Sequence, residues 1–281
     1  MTEIPFCKFH GFGNDYIVLE KGNRADDLPE LARAICKRNT GVGADGIAVL
    51  ERIDTLAADF GCQIVNPDGS YASFSGNGTR CAVAYLYHQG LWTDEIVRLR
   101  TRSGIKVYRL LDRKDGKFIF EAEIGSPMFA SDEVPVITDE YRDYVINEPF
   151  DIFGTPVFVS AINVGNPVAC VFVDDFLHDW RAVGNALESH ERFPERTNVV
   201  FINVTARNEV DVRIWERGAG ETSSSGTCST AAAVMSAFLL KTDRTVKVRA
   251  PGGVTTIIWR EDEEVVITGE AHLAFCGTWP G

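Results

Sequence analysis

The sequence predicts an α+β fold built from two similar halves, on three observations. Runs that read as strands outnumber helical stretches by about three to one. The strand-then-helix alternation of a parallel Rossmann sheet is missing. A series of motifs also recurs in the same order about 150 residues later.

Strand signals, short runs rich in β-branched residues, fall at 16–19, 47–50, 96–100, 106–110, 117–123, 157–160, 169–173, 199–204, 210–216, 246–249, 254–259 and 265–268. Helical patterns cover 29–38, 79–88, 179–189 and 227–241, with Asp27 ahead of Pro29 as a cap followed by a proline just inside the helix. The repeat ties these elements together. Gly13-Asn14-Asp15 is answered by Gly165-Asn166-Pro167, each before a strand. The helix 29–38 and strand 47–50 are answered by 179–189 and 199–204. Val65-Asn66 with Asp68-Gly69 is answered by Trp215-Glu216 with Gly218. Ser75-Gly76-Asn77 opens one helix and Ser225-Gly226-Thr227 another, while Gly104 and Gly252-Gly253 each begin a hairpin. Five matches in one order are hard to obtain by chance. The expected division is 1–122, to which 270–281 returns, and 123–269. The join falls around 122–155, where Pro127, Pro135 and Pro149 interrupt regular structure, with Pro156 just beyond.

A chain of 281 residues buries a large core without disulfide or metal staples. Hydrophobic residues at 45% and charged residues at 24% exclude disordered, collagen-like and coiled-coil chains. The net charge of −12, from 28 basic and 40 acidic residues, argues against nucleic acid and an anionic membrane surface as partners. A local pocket for an anionic metabolite is compatible with it. The longest apolar run, 231–240, is about half of a membrane span, and the N-terminus shows no basic-then-apolar leader. Seven cysteines (7, 36, 62, 81, 170, 228 and 276) form no C-x-x-C pair and read as reduced thiols of a cytoplasmic protein. Neither cysteine nor histidine is spaced for a zinc site.

Several motifs fail on context. Gly41-Val-Gly-Ala-Asp-Gly46 matches the dinucleotide fingerprint on paper, but here a helix precedes and a strand follows. Its glycines read as a helix C-cap and tight turn. There is no nucleotide P-loop or nucleophile elbow, and the five histidines are scattered. What remains is the repeated small-residue loop at each helix start. Ser75-Gly76-Asn77 and Ser225-Gly226-Thr227 sit where helix N–H groups lie free to bind a carboxylate or phosphate. Each loop alone reads as an ordinary cap, but their symmetric occurrence favours an anion site. Glu216-Arg217 ends a strand before Gly218-Ala-Gly220, so Arg217 is a candidate carboxylate clamp. Asn14, Asn66, Asn166 and Asn198 edge their strands with donors and acceptors that suit an amino-acid zwitterion, although singly each reads as a turn residue.

HGFGND (10–15), GVGADG (41–46), NPDGS (66–70), SGNGTRC (75–81), VGNP (164–167), ESHERFPERTN (188–198), ERGAGET (216–222), SGT (225–227) and PGG (251–253) resemble the diaminopimelate epimerase family, over essentially the whole chain. The resemblance implies two pseudo-symmetric halves, each a β-barrel-like sheet around a central helix, with the active site in the cleft between them. It implies cofactor-independent inversion of an amino-acid Cα, LL- to meso-diaminopimelate, in lysine and peptidoglycan precursor synthesis. No metal, nucleotide or pyridoxal phosphate is expected, and homodimers are common among relatives. Asn14, Asn66, Asn166, Asn198, Glu216 and Arg217 stand where the family binds substrate. Gly76-Asn77 and Gly226-Thr227 stand where its helix N–H groups hold the α-carboxylate.

The acid and base of the family are two cysteines, and here Ser75 and Ser225 occupy those positions. A thiol at a helix N-terminus is acidic enough to cycle near neutral pH, whereas an alcohol is not. Val168 also replaces the histidine of the family's N-P-H motif, and Gly46 a common glutamine. With Glu216 as the remaining ionisable group, the expected catalytic set is Ser75, Ser225 and Glu216. Physical chemistry argues against efficient epimerisation by the serines alone. The alternatives are another amino-acid racemase or dehydratase reaction, or a non-catalytic amino-acid binder. Cys81 and Cys228, one turn or less into the two helices, are expected to pack in the core.

Overall fold

The computed structural model describes residues 3–22, 27–53, 55–72 and 75–280. It divides the chain into two compact units, Met1–Glu123 with Thr268–Gly281, and Ile124–Ile267.

Unit 1 begins with β1 (Glu3–Gly11) and β2 (Asn14–Glu20), then α1 (Leu28–Ile35), β3 (Gly46–Arg52), β4 (Phe60–Val65) and a two-residue β5 (Tyr71–Ala72). Helix α2 (Gly76–His88) follows, then β6 (Ile96–Thr101), β7 (Gly104–Lys114) and β8 (Lys117–Gly125). The Asp27 carboxylate accepts from Glu30 N–H at 3.0 Å and caps α1, with Pro29 in its first turn, as the sequence predicts. The pairings run β1–β2 antiparallel, β2–β3 parallel, β3–β4 antiparallel, β4–β6 parallel, then β6–β7 and β7–β8 antiparallel. The last strand of the chain, β17 (Val265–Pro280), pairs with both β8 and β1 and so closes an eight-stranded ring. Helix α2 packs on β1, β2, β3 and β4 and is buried continuously from Gly78 to Tyr87. A helix buried on every side is the filling of a barrel rather than a surface element. Its polar groups find partners inside: the Thr79 and Tyr108 hydroxyls bond each other, and Tyr87 O–H donates to the Asp94 carbonyl at 2.6 Å.

Unit 2 repeats the plan with β9 (Val145–Ile152), β10 (Thr155–Asn163), β11 (Pro167–Phe172), α3 (Trp180–Glu188), β12 (Asn198–Ala206), β13 (Glu209–Glu216) and the short β14 (Gly220–Thr222). Helix α4 (Gly226–Phe238), β15 (Thr245–Ala250), β16 (Gly253–Trp259) and the start of β17 complete it. From β10 onward the order of pairings is the same: antiparallel to β11, parallel β11–β12, antiparallel β12–β13, parallel β13–β15, antiparallel β15–β16. Helix α4 is buried from Cys228 to Ala237, and its Ala and Ser side chains let β11, β12, β13, β15 and β16 approach closely. Phe150, Phe193, Trp180 and Phe201 fill a second core under α3.

Four readings of the sequence need correction. The strands β1, β4 and β9 carry no recognised signal, and β17 runs twelve residues beyond the four-residue segment expected at its start. The join is shorter than expected, because β8 and β9 occupy both its ends. Pro149 lies inside β9, opposite Phe158 of β10, despite the rule that proline marks a break. The cysteines are not all reduced thiols: Cys7 and Cys276 form a disulfide, while Cys36, Cys62, Cys81, Cys170 and Cys228 are free and buried. Cys7 and Cys276 face each other directly in the β1–β17 register, a proximity that a separation of 269 residues hides. Among the described residues, no helix is long and apolar enough to cross a membrane.

Candidate active site

In unit 1 the predicted residues gather at the start of α2. Ser75 has extended backbone (φ −143°, ψ 115°), and its Oγ accepts from Gly78 N–H at 3.1 Å, the geometry of an N-cap. Thr79 N–H bonds the Ser75 carbonyl. The N–H groups of Gly76 and Asn77 have no protein acceptor among the described residues, so two donors of the helix start stay available. A feature the sequence reading missed stands next to them: the Tyr16 hydroxyl lies 2.9 Å from Ser75 Oγ. Its ring fits because two glycines leave room. A Cβ on Gly46 would come within 2.8 Å of Tyr16 Cε1, and one on Gly78 within 2.9 Å. Gly46 is therefore occupied by the demands of Tyr16 packing.

Asn14 opens β2 and Asn77 the helix, and Asn77 Nδ2 donates to Asn14 Oδ1 at 3.3 Å. Behind them, Asn14 Nδ2 donates to Asp45 at 2.7 Å and Arg80 Nη1 to Asn77 Oδ1 at 2.9 Å. Arg80 is buried, its Nε has no partner among the described residues, and burial lowers its pKa. The Asp15 N–H donates to the Asp45 carboxylate and the Asp45 N–H to the Asp15 carboxylate, and Arg38 bonds both carboxylates. Burial alone would push the Asp15 carboxyl up, but the hydrogen bonds and charges of Arg38 and Lys8 outweigh it and hold it at about 2. Asn66 sits apart from this chain, with its side chain donating to Ser70 Oγ at 2.9 Å in the 66–70 turn.

In unit 2 Ser225 caps α4 with nearly the same backbone (φ −146°, ψ 126°). Its Oγ accepts from Cys228 N–H at 3.4 Å and lies 3.2 Å from Thr227 Oγ1. Gly226 and Thr227 N–H groups are again without protein acceptors among the described residues. The Glu216 carboxylate accepts from Thr222 Oγ1 at 2.8 Å. Burial pushes the Cys228 thiol well above its ordinary range, and the Glu216 carboxylate adds to this, while the Ser225 and Thr227 hydroxyls pull the other way. Glu216, Ser225 and Thr227 thus surround one neutral thiol. Burial likewise raises Cys81 to about 12, so both cysteines near the helix starts are inert core groups, as expected.

Asn198 is buried, opposite Val168 in the parallel β11–β12 pair, and its Oδ1 accepts from Arg217 N–H at 2.8 Å. Arg217 Nη1 donates to the Glu195 carbonyl at 2.7 Å, and the rest of its guanidinium is exposed. Asn166 precedes β11 and its carbonyl accepts from Val164 N–H. The organiser of the 216–222 loop is Glu188, which sequence reading did not single out. It is buried and accepts from Gly218 N–H at 2.7 Å, Trp215 Nε1 at 2.8 Å and the Arg196 guanidinium. Both residues lie within the ESHERFPERTN and ERGAGET strings, so the motif was visible but its mechanical role was not.

One further cluster brings cysteine and histidine side chains together where their sequence spacing does not. Cys7, His88 and Cys276 bring three potential ligand atoms within 4.8 Å of one another, in unit 1. Two of them are joined as a disulfide, which has no thiolate to offer a cation.

A model of the family described as diaminopimelate epimerase matches residues 6–128 and 160–274. The chain belongs to the diaminopimelate epimerase family. It is 35% identical over 282 residues to a diaminopimelate epimerase of Halothermothrix orenii, with 98% of this chain and 97% of the relative covered. Another, of Pelotomaculum thermopropionicum, is 37% identical, with 99% of each chain covered. The protein is an isomerase, a cofactor-independent epimerase. Solved structures share the fold at low identity. A probable proline racemase of Agrobacterium radiobacter has a TM-score of 0.70 at 14% identity, covering 99% of this chain and 93% of its own. A predicted epimerase of Pseudomonas aeruginosa has 0.69 at 16%, with 99% of each covered.

Proposed function

We propose that the protein is a cofactor-independent epimerase that inverts one Cα of LL-diaminopimelate to give the meso form. The observation that carries this reading is the duplicated helix start, where a capping serine leaves two N–H groups free beside it. Gly76-Asn77 and Gly226-Thr227 N–H groups would hold the α-carboxylate, helped by the helix dipoles. Asn14, Asn66, Asn166, Asn198 and Arg217 would bind the rest of the amino acid.

Inversion needs a proton acceptor on one face of Cα and a donor on the other. Glu216 is the carboxylate of the unit 2 set and takes the acceptor role, and the Ser225 and Thr227 hydroxyls stand at the start of α4. In unit 1 the donor is the Ser75 hydroxyl, backed by Tyr16. A phenol is the more acidic of the two hydroxyl types, so a Tyr16–Ser75 relay can supply a proton that serine alone would not. A cytoplasmic role in lysine and cell-wall precursor synthesis, and homodimeric assembly, belong to the same proposal.

The test is Cα–H exchange in D₂O, read by NMR, with LL- and meso-diaminopimelate and a panel of free amino acids. Exchange of diaminopimelate with appearance of the other isomer supports the reading. Exchange of a different amino acid moves the substrate. Silence in the native protein and in a Ser75→Cys/Ser225→Cys variant leaves binding as the function. The second reading, a reaction other than epimerisation, is favoured only by the hydroxyls at both caps, and product analysis in the same tubes reveals it.

A further inference from the structure

At the far end of α2 from Ser75, three groups of unit 1 converge on one bond. Cys7 of β1 is 1% exposed, whereas Cys276 of β17, its disulfide partner, is open to solvent. His88 Nε2, at the last residue of α2, lies 3.7 Å from Cys276 Sγ. Gln89 Nε2 donates to Cys7 Sγ at 3.2 Å. His88 also lines a cavity of about 200 Å³ together with Arg113 and Lys114. The two sulfurs of one bond thus differ in access and surroundings: one can be reached, the other is buried and has a hydrogen-bond donor.

We propose that Cys7–Cys276 is a reversible thiol–disulfide exchange site for a small anionic thiol of the glutathione type. The thiolate attacks the exposed Cys276 sulfur, because exchange proceeds in line at an accessible sulfur. A bond forms between the incoming sulfur and Cys276 Sγ, the Cys7–Cys276 bond breaks, and the electron pair leaves on Cys7. Gln89 hydrogen-bonds that leaving thiolate, which then takes a proton from solvent. A second thiol attacks the mixed disulfide, releasing the oxidised small thiol and the Cys276 thiolate, which is protonated beside His88. In sum, two small thiols are oxidised to their disulfide and the protein disulfide is reduced to two thiols. Arg113 and Lys114 outnumber Asp115 on the wall of this cavity and supply the positive field that concentrates an anionic thiol there. The site lies outside the residues assigned to epimerisation and does not depend on that assignment.

The test is to equilibrate the native protein in graded ratios of reduced and oxidised glutathione, quench by alkylation, and map every cysteine by mass spectrometry. Cys7 and Cys276 are expected to convert together at a defined ratio, while the five buried cysteines stay reduced throughout. In Cys7→Ser protein, Cys276 should carry glutathione. In Cys276→Ser protein, Cys7 should carry at least about tenfold less. Arg113→Ala/Lys114→Ala should slow reduction by glutathione about threefold or more and leave reduction by neutral mercaptoethanol unchanged. A bond that resists both thiols until the chain is unfolded overturns the proposal, as does glutathione on Cys7 in preference to Cys276. Equal slowing of both thiols by the double alanine overturns the role given to the cavity.

Discussion

The starts of α2 and α4 are the same structure put to different chemistry. Each is capped by a serine with φ near −145° and leaves the next two N–H groups free. Around Ser75 the neighbour is a phenol, held at 2.9 Å by a ring wedged between Gly46 and Gly78. Around Ser225 the neighbours are a threonine, a buried thiol and the Glu216 carboxylate. Duplication thus preserved a backbone feature, a capped helix start with free N–H groups, which needs only small residues. The side chains around it have diverged. The two helix starts teach that backbone geometry and side-chain chemistry are separable in this fold.

The largest expected effect comes from Glu216, the carboxylate of the unit 2 set. Glu216→Gln should lower Cα–H exchange by 10²–10³-fold or more, within the usual worth of a general base, while Cys228→Ala changes it little. Equal, small losses would remove Glu216 from its role and with it the asymmetry between the halves. Restoring symmetry is the converse experiment. Ser75→Cys/Ser225→Cys should raise exchange about 10²-fold, since helix N-termini lower thiol but not alcohol pKa into the working range. No gain would mean that the hydroxyl pair is already competent.

The remaining predictions sharpen the unit 1 side. Gly46→Ala should destabilise the protein by about 1–3 kcal/mol in urea unfolding, because its Cβ would press on the Tyr16 ring. Tyr16→Phe should cost about tenfold in exchange rate with a small change in Tm, and Thr227→Val less. The smallest effect is electrostatic. Asp15 is held at about 2 when folded, below its unfolded value, so its pairing stabilises above roughly pH 4 and is lost as pH falls towards 2. Arg38→Gln should therefore lower stability at pH 7 in urea unfolding, by an amount that shrinks as pH falls from 4 towards 2.

The architecture was legible where local rules act. Both serine caps, the Asp27 cap, the Gly104 hairpin and the order of the repeat follow from turn and cap chemistry within a few residues. The misses are long-range. β1 is stabilised by pairing with a strand more than 260 residues downstream, so EIPFCKFHG gives little signal of its own. Pro149 is tolerated inside β9 although a strand-interior proline normally argues against the assignment. Tyr16 read as one more apolar strand residue, since nothing nearby in sequence shows that its hydroxyl reaches Ser75. Glu188 and Arg80 lie within quoted motifs, but they act by holding other residues, and that role does not show in the sequence. The Cys7–Cys276 bond was invisible for the same reason, since its two sulfurs meet only when the barrel closes.

That closure has a consequence for how the chain is made. Unit 2 is contiguous in sequence, but unit 1 lacks one of its eight strands until residues 268–280 have been synthesised. Until then β1 and β8 present unpaired edges, the kind of surface on which nascent chains associate wrongly. Unit 2 can therefore assemble from consecutive sequence, whereas unit 1 waits for a distant segment. Residues 268–280 act as the latch, and their pairing with β1 and β8 is the step at which the N-terminal barrel becomes safe from misassembly.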